Sequence, residues 1–144
     1  MENMQPGSDP AMVDRLCQAT NDHDLDALVA CFTPDYINQT PAHPERGFTG
    51  RGQVRENWTR IFAAIPDVRA EVLRCAVDGD TVWSEWEHRG TRADGTEHLM
   101  RGVVIFGIVD GLASWARFYL EPVQEGGGGV RDAVRRQVSA GGDR

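Results

Sequence analysis

The sequence predicts an α+β fold in which helices pack on one face of a curved antiparallel sheet. Up to Pro66, apolar residues recur at helical spacing in three separate stretches. From Val68 onward the period changes to alternation, and three turn sequences containing Asp-Gly divide this part into four strands. Helices followed by a run of antiparallel strands are typical of α+β domains, whereas α/β domains alternate strands with helices.

The first predicted helix runs from about Pro10 to Thr20, because Ser8-Asp9-Pro10 provides a capping residue and a proline at the first helical position. Asp24 can cap a second helix, whose apolar positions have helical spacing: Leu25, Leu28, Val29 and Phe32. A third helix ends at Pro66, and its apolar stripe consists of Val54, Trp58, Ile61, Phe62 and Ile65. Between the second and third helices, residues 34–41 form a short extended segment.

The turn sequences also predict how the strands pair. If Asp94-Gly95 is a two-residue hairpin loop, His88 lies opposite Arg101, and Asp110-Gly111 sets the last strand by the same rule. The face toward the helices is then largely apolar. It consists of Val82, Ser84, Trp86, His88, Arg101, Val103, Ile105, Ala116, Phe118 and Leu120.

Glu71 on the preceding strand is predicted to join this face, so that Glu71, His88 and Arg101 form a polar row on an apolar wall. A histidine titrates near neutral pH and can move a proton, while an arginine beside it can stabilise an enolate or alkoxide and a carboxylate can orient the imidazole. Alternatively, the row caps the open end of the sheet in solvent. His98 is predicted to be a surface residue, and His43 lies on a loop that either covers a pocket on this face or is exposed.

The opposite face of the predicted sheet carries an aromatic row across three strands, formed by Trp83, Phe106 and Trp115. So much aromatic surface is rarely left in water, so this face is predicted to be a homodimer interface. The alternative is that these three residues are scattered surface aromatics. A shifted strand register would also break up the row.

Composition narrows the class of partner. The formal net charge of -7 and the pI of about 5.0 argue against nucleic-acid binding, which depends on neutralising phosphates, and against anionic lipid. No apolar run has the length of a membrane span, and the N-terminus does not resemble a signal peptide. Cys17, Cys31 and Cys75 do not have metal-ligand or disulfide spacing. These features predict a cytoplasmic protein with no nucleic acid and no membrane as partners, and they leave small-molecule chemistry, small-molecule binding and protein association as its possible roles.

The order of helix, helix, "DYINQTP", a loop with "GFTGRGQVRENW", a helix and strands ending in "VIFGIVDGLASWARFYLEPV" resembles the SnoaL-like proteins. They belong to the nuclear transport factor 2-like superfamily, with ketosteroid isomerase, the polyketide cyclases and limonene-epoxide hydrolase. The resemblance covers about Met12 to Val123. It implies a cone-shaped, cystatin-like α+β barrel in which three N-terminal helices cap the curved sheet around a deep apolar pocket. We therefore expect one domain at 8–123 and a flexible, glycine-rich tail at 124–144.

The resemblance also suggests roles for single residues. "YIN" is similar to the Tyr-x-Asn with which the epoxide hydrolases hold the attacking water, so Tyr36 and Asn38 correspond to that pair; otherwise they form a structural pair at the barrel floor. The Arg-x-Asp of those enzymes aligns with Trp86 and His88, and their last-strand Asp aligns with Phe118. The chain thus has the expected pocket without those carboxylates, and His88 lies where relatives have an acid/base group.

The sequence therefore predicts a cofactor-independent cyclase or isomerase that performs acid/base chemistry on a small hydrophobic polyketide- or terpenoid-like molecule. The catalytic candidates are His88, Arg101, Tyr36, Asn38 and Glu71. The substrate-binding candidates are Trp58, Phe62, Trp86, Val103 and Phe118. No metal site is predicted. The alternatives are an epoxide hydrolase of the limonene-epoxide hydrolase type and a non-catalytic small-molecule-binding or association module.

Overall fold

The computed structural model describes residues 10–139, which form four α-helices, one short 3-10 helix (Pro44–Arg46) and six strands. The helices are α1 (Ala11–Asp22), α2 (Leu25–Val29), α3 (Arg51–Ala64) and α4 (Val130–Val138). The strands are β1 (Phe32–Gln39), β2 (Phe48–Thr49), β3 (Arg69–Asp78), β4 (Thr81–Thr91), β5 (Glu97–Val109) and β6 (Leu112–Pro122). The predicted α+β class is confirmed, with α1, α2 and α3 packed on one face of a curved, unclosed sheet.

The sheet has the order β2-β1-β6-β5-β4-β3. Its long strands β3 to β6 form the predicted antiparallel meander, while β1 lies parallel to β6 and extends the sheet on the other side. Phe32 begins β1, although its spacing predicts a place in the second helix; α2 ends at Val29 after a single turn. The cap of α2 is as predicted, since the Asp24 carboxylate accepts a hydrogen bond of 3.1 Å from the amide of Ala27.

The ends of the chain bear on two predictions. Ser8 and Asp9, the predicted capping residues of α1, lie outside the described residues, and so does the start of the predicted 8–123 domain. Beyond β6, the glycine-rich stretch leads into α4, whose described side chains are largely exposed. Within residues 10–139, no helix combines the length and the apolar character needed to cross a membrane.

The β4–β5 hairpin differs from the predicted two-residue loop. The amide of Gly95 donates to the carbonyl of Arg92 (2.8 Å), the amide of Arg92 donates to the carbonyl of Thr96 (2.9 Å), and Gly95 has φ of 87°. This is the three-residue loop in which a glycine in left-handed conformation follows a type I turn. The pairing is therefore shifted by one residue, and His88 lies opposite Met100 while Glu87 lies opposite Arg101.

The β5–β6 hairpin has the predicted two-residue loop, because Asp110 and Gly111 both have positive φ, at 53° and 77°. A bulge beyond it shifts the remaining pairs by one residue, so that Phe118 lies opposite Val104. For the part of β6 beyond the bulge, this shift compensates the one-residue shift of the β4–β5 hairpin. Ala116, Phe118 and Leu120 therefore keep their predicted inner face. Among β4, β5 and β6 only β5 is reversed, because successive side chains of a strand point to opposite faces. In β3 a bulge between Val72 and Arg74 turns Glu71 to the outer face, while Cys75 keeps its predicted inner face.

A glycine in the middle of β5 allows a close approach between β5 and β6. Gly102 lies between Trp86 and Leu120 in the neighbouring strands and has φ of 155°. A Cβ atom at this position would overlap the carbonyl oxygen of Tyr119, so the two backbones approach more closely than any other residue type allows. The inner face beside it carries the core, in which Met12, Val13 and Leu28 from the helices are almost fully buried.

Candidate active site

A cavity of about 380 Å³ lies between α3, the inner face of the sheet and the loop that follows β1. Its walls are mainly aromatic and aliphatic, with a few polar groups, as is common for small-molecule sites. The lining residues are Phe32, Tyr36, Asn38, Thr40, Arg46, Phe48, Val54, Asn57, Trp58, Ile61, His88, His98, Met100, Phe118 and Leu120. A smaller chamber of about 40 Å³ extends it toward the core, and His88 lines both spaces.

Tyr36 and Asn38 lie on the inner side of β1, where the alternation of the strand predicts them. The Tyr36 hydroxyl donates a 2.7 Å hydrogen bond to Oδ1 of Asn38, and its ring packs edge-on against Phe32 and Phe48. Burial raises the pKa of Tyr36, so the phenol remains neutral. The side-chain NH₂ group (Nδ2) of Asn38 has no hydrogen-bond acceptor among residues 10–139, so it can donate to a ligand oxygen.

His88 lies in the cavity wall between two tryptophans, with ring centroids 5.9 Å from Trp58 and 5.7 Å from Trp86, both edge-on. Its residue surface is only 9% exposed. Burial, helped by nearby His98, lowers the pKa of His88 from 6.5 to about 4, so its imidazole is neutral at physiological pH. Within the described part of the chain, neither ring nitrogen has a hydrogen-bond partner. A neutral imidazole offers a ligand one donor and one acceptor.

The predicted polar row around His88 is wrong. Arg101 lies on the outer face of the sheet because β5 is reversed by the three-residue loop. There its Nε donates a 2.7 Å hydrogen bond to Glu87, which Arg89 also contacts at 2.9 Å. These hydrogen bonds, from Arg101 first and Arg89 second, hold the pKa of Glu87 below its ordinary value. Glu71 lies opposite Glu87 on the same outer face, so neither Arg101 nor Glu71 reaches His88.

The structure divides the predicted substrate-binding residues into three groups. Trp58 and Phe118 line the main cavity, and Trp86 lines the inner chamber. Phe62 lines neither space; its ring centroid lies 5.4 Å from that of Trp58, and its ring stacks on His23. Val103 lies on the outer face, for the same reason as Arg101.

Several cavity residues were not predicted. His98, expected at the surface, lines the cavity with Met100, because the reversal of β5 turns these two side chains inward. Burial lowers the pKa of His98. The correct hairpin loop would have revealed both residues from the sequence. Arg46 and Thr40 belong to the loop after β1, where no periodicity predicts direction.

At the cavity mouth this loop is held against the end of β6. Glu121 Oε2 lies 3.4 Å from Nε2 of His43 and 3.8 Å from Nη1 of Arg46. This oxygen is shielded from solvent and has no hydrogen-bond partner in residues 10–139. The three side chains are themselves between about one third and three fifths exposed, at 36% for Glu121, 42% for His43 and 58% for Arg46.

The outer face of the sheet retains exposed aromatic residues, but not in the predicted row. Phe106 lies in the core and is 1% exposed, because it too belongs to the reversed strand β5. Trp83 and Tyr119 are 48% and 43% exposed. Trp115 lies beneath the guanidinium of Arg117, which is 5.3 Å from its ring centroid.

Comparison with known proteins identifies a matching family model and several solved structures with a similar fold. A family model described as SnoaL-like domain matches residues 13–116. A hypothetical protein with a ketosteroid isomerase-like fold from Catenulispora acidiphila, in complex with trimethylamine, is 20% identical, with a TM-score of 0.67 over 76% of this chain and 85% of that chain. An LEH-like epoxide hydrolase from M. tuberculosis is 16% identical, with a TM-score of 0.66 over 77% and 80%.

A proposed polyketide cyclase from Sinorhizobium meliloti is 24% identical, with a TM-score of 0.60 over 78% of this chain and 94% of that chain. A search of curated proteins found no match. The structural similarities show that the unclosed six-stranded sheet and its helices form the cone of the nuclear transport factor 2-like fold. At these identities they concern the fold alone.

Proposed function

The chain belongs to the SnoaL-like family, and we propose that it is a cofactor-independent cyclase or isomerase acting on a small, largely apolar polyketide- or terpenoid-like molecule. The observation that carries this proposal is His88, a buried neutral imidazole that lines the cavity without a hydrogen-bond partner among the described residues. A neutral imidazole with an unoccupied ring nitrogen can accept a proton from a bound molecule, although the lowered pKa makes His88 a weaker base than an exposed histidine. The Tyr36–Asn38 pair in the same cavity supports it, since the amide of Asn38 can bind a carbonyl oxygen.

The proposed reaction begins when Asn38 binds the carbonyl oxygen and His88 removes a proton from the adjacent carbon. The electron pair of the broken C–H bond moves to the carbonyl, forming an enolate that the Asn38 amide stabilises. Burial makes the resulting imidazolium of His88 unfavourable by about 3 kcal/mol relative to water, so the proton is readily returned. If His88 returns the proton to another carbon of the enolate, the substrate is isomerised. If instead the enolate carbon attacks a second carbonyl carbon, a ring closes, and the resulting alkoxide takes up the proton from His88.

Epoxide hydrolysis is a second candidate, because the hydrogen-bonded Tyr36 and Asn38 resemble the Tyr-x-Asn of the epoxide hydrolases. In that reaction the pair would hold a water, and His88 would take the proton from it as the epoxide carbon is attacked. Trp86 and His88 occupy the positions of the Arg and Asp in the Arg-x-Asp of those enzymes, and Phe118 occupies the position of their last-strand Asp. This chain would therefore hydrolyse epoxides without those carboxylates. A non-catalytic binding module is the outcome if no probe is turned over.

The test follows ligand binding by tryptophan fluorescence, since Trp58 and Trp86 line the two spaces. Polyketide, steroid and epoxide probes are titrated first. Those that bind are then incubated in D₂O, and deuterium at the carbon beside the carbonyl reports proton transfer. We expect exchange to fall by about 100-fold or more in His88→Gln, because a positioned general base contributes that much.

Arg101→Gln is the matched control, because Arg101 lies on the outer face and should leave exchange unchanged. Equal exchange in wild type and His88→Gln would refute the acid/base role. Loss of exchange in Arg101→Gln, with the fold intact, would contradict the register described above. Binding without exchange or hydrolysis of any probe would favour the binding module.

A further inference from the structure

The cavity wall carries one permanently charged side chain among the described residues, and it is a cation. Arg46 lines the cavity, no carboxylate does so within residues 10–139, and the two lining histidines have lowered pKa values. The protein as a whole is acidic, with a formal net charge of -7. A cation at the mouth of an apolar cavity attracts an anion more strongly than a cation on an open surface does, and the 58% exposure of the Arg46 side chain limits this gain.

The guanidinium of Arg46 is held in place without being fully paired. The short 3-10 helix Pro44–Arg46 is closed by a 2.9 Å hydrogen bond from the Arg46 amide to the carbonyl of His43. The side-chain Nη1 is 3.8 Å from Glu121 Oε2, which is beyond hydrogen-bond distance. No hydrogen bond from this guanidinium to another described residue is formed. Its planar set of donors is therefore available, while Glu121 keeps it beside the opening.

The two ends of the cavity differ in polarity. Apart from His88, the residues that line the inner chamber are all apolar. Arg46, with its side chain 58% exposed, lies at the opposite, open end. A ligand that fills both ends must be apolar where it enters the chamber and can be ionised where it reaches the mouth.

We infer that the substrate is an apolar molecule carrying one carboxylate, which Arg46 binds at the cavity mouth while the apolar body extends toward His88. The guanidinium fork matches the two oxygens of a carboxylate, and such paired hydrogen bonds are stronger than neutral ones. The weak contact with Glu121 is then exchanged for the ligand's carboxylate. This inference rests on the proposed function for the location of the ligand, and it specifies the substrate class.

The test compares geranic acid with its methyl ester, which share one apolar body, by titration against tryptophan fluorescence. We expect the acid to bind about tenfold more tightly than the ester, as one charge-assisted pair at a partly exposed site provides. Arg46→Gln should abolish this difference and leave the ester unchanged. Glu121→Gln should tighten binding of the acid, because it removes the competing carboxylate. Arg60→Gln, an exposed arginine on α3 outside the cavity, is the control and should behave as wild type.

Equal affinity of wild type for acid and ester would overturn the inference, as would an Arg46→Gln variant that weakens both ligands alike. Fluorescence needs no turnover, so the two proposals can fail separately. Arg46-dependent preference for the acid, without exchange or turnover of any probe, would refute the cyclase or isomerase and uphold the carboxylate site. His88-dependent exchange without any preference for acids would do the reverse.

Discussion

The buried imidazole of His88 should make folding stability depend on pH in a definite window. Its pKa is about 4 in the folded protein and 6.5 as an ordinary histidine, so between these values the unfolded chain holds a proton that the folded chain lacks. Stability contributed by this group is complete above about pH 6.5 and is lost as the pH falls toward 4. The difference in pKa corresponds to a loss of about 3 kcal/mol by about pH 4.

Urea unfolding followed by circular dichroism, at a series of pH values from about 7 to about 4, measures this loss. Wild type should lose about 3 kcal/mol more than His88→Gln over the series, because carboxylate effects are common to both proteins. His88→Phe is the matched second variant, since it keeps a ring between Trp58 and Trp86 but cannot titrate. Both variants should have the same shallow slope even if their stabilities near pH 7 differ. Parallel curves for wild type and both variants would refute the burial argument.

Three further predictions concern the sheet and the site. Gly102→Ala should lower the free energy of unfolding by about 1–3 kcal/mol in urea, because its Cβ overlaps the neighbouring backbone; an unchanged midpoint would contradict the close approach. Tyr36→Phe should cost about 1 kcal/mol by removing the hydroxyl that orients Asn38, and it should weaken ligand binding in the fluorescence titration; full affinity would leave the pair a structural role alone. We also propose that the outer face forms a homodimer around Trp83 and Tyr119, so that Trp83→Ala shifts sedimentation equilibrium toward monomer; a monomeric wild type at micromolar concentration would contradict this.

Local features of the sequence were sufficient for the fold class and for part of the site. The cap at Asp24, the stripe of α3 and the change of period after Val68 depend on neighbouring residues, and each appears in the structure. Tyr36 and Asn38 were placed correctly because alternation within one strand needs no knowledge of its partner. His88 was placed on the inner face because β4 alone is dominated by apolar residues on that side.

The partners of His88 were decided only by the tertiary structure. Asp94-Gly95 can form a two-residue loop, or Ala93-Asp94-Gly95 can form a three-residue loop, and the choice moves every residue of β5 to the other face. That single shift exchanged Arg101 and Val103 for His98 and Met100 in the cavity. Arg46 belongs to a loop whose direction is set by contacts with the end of β6, far along the chain. The sequence by itself determined the fold class and the main helices and long strands, and its family resemblance implied a pocket. Side-chain register and loop placement depend on pairing between distant segments, and they decided what chemistry the pocket holds.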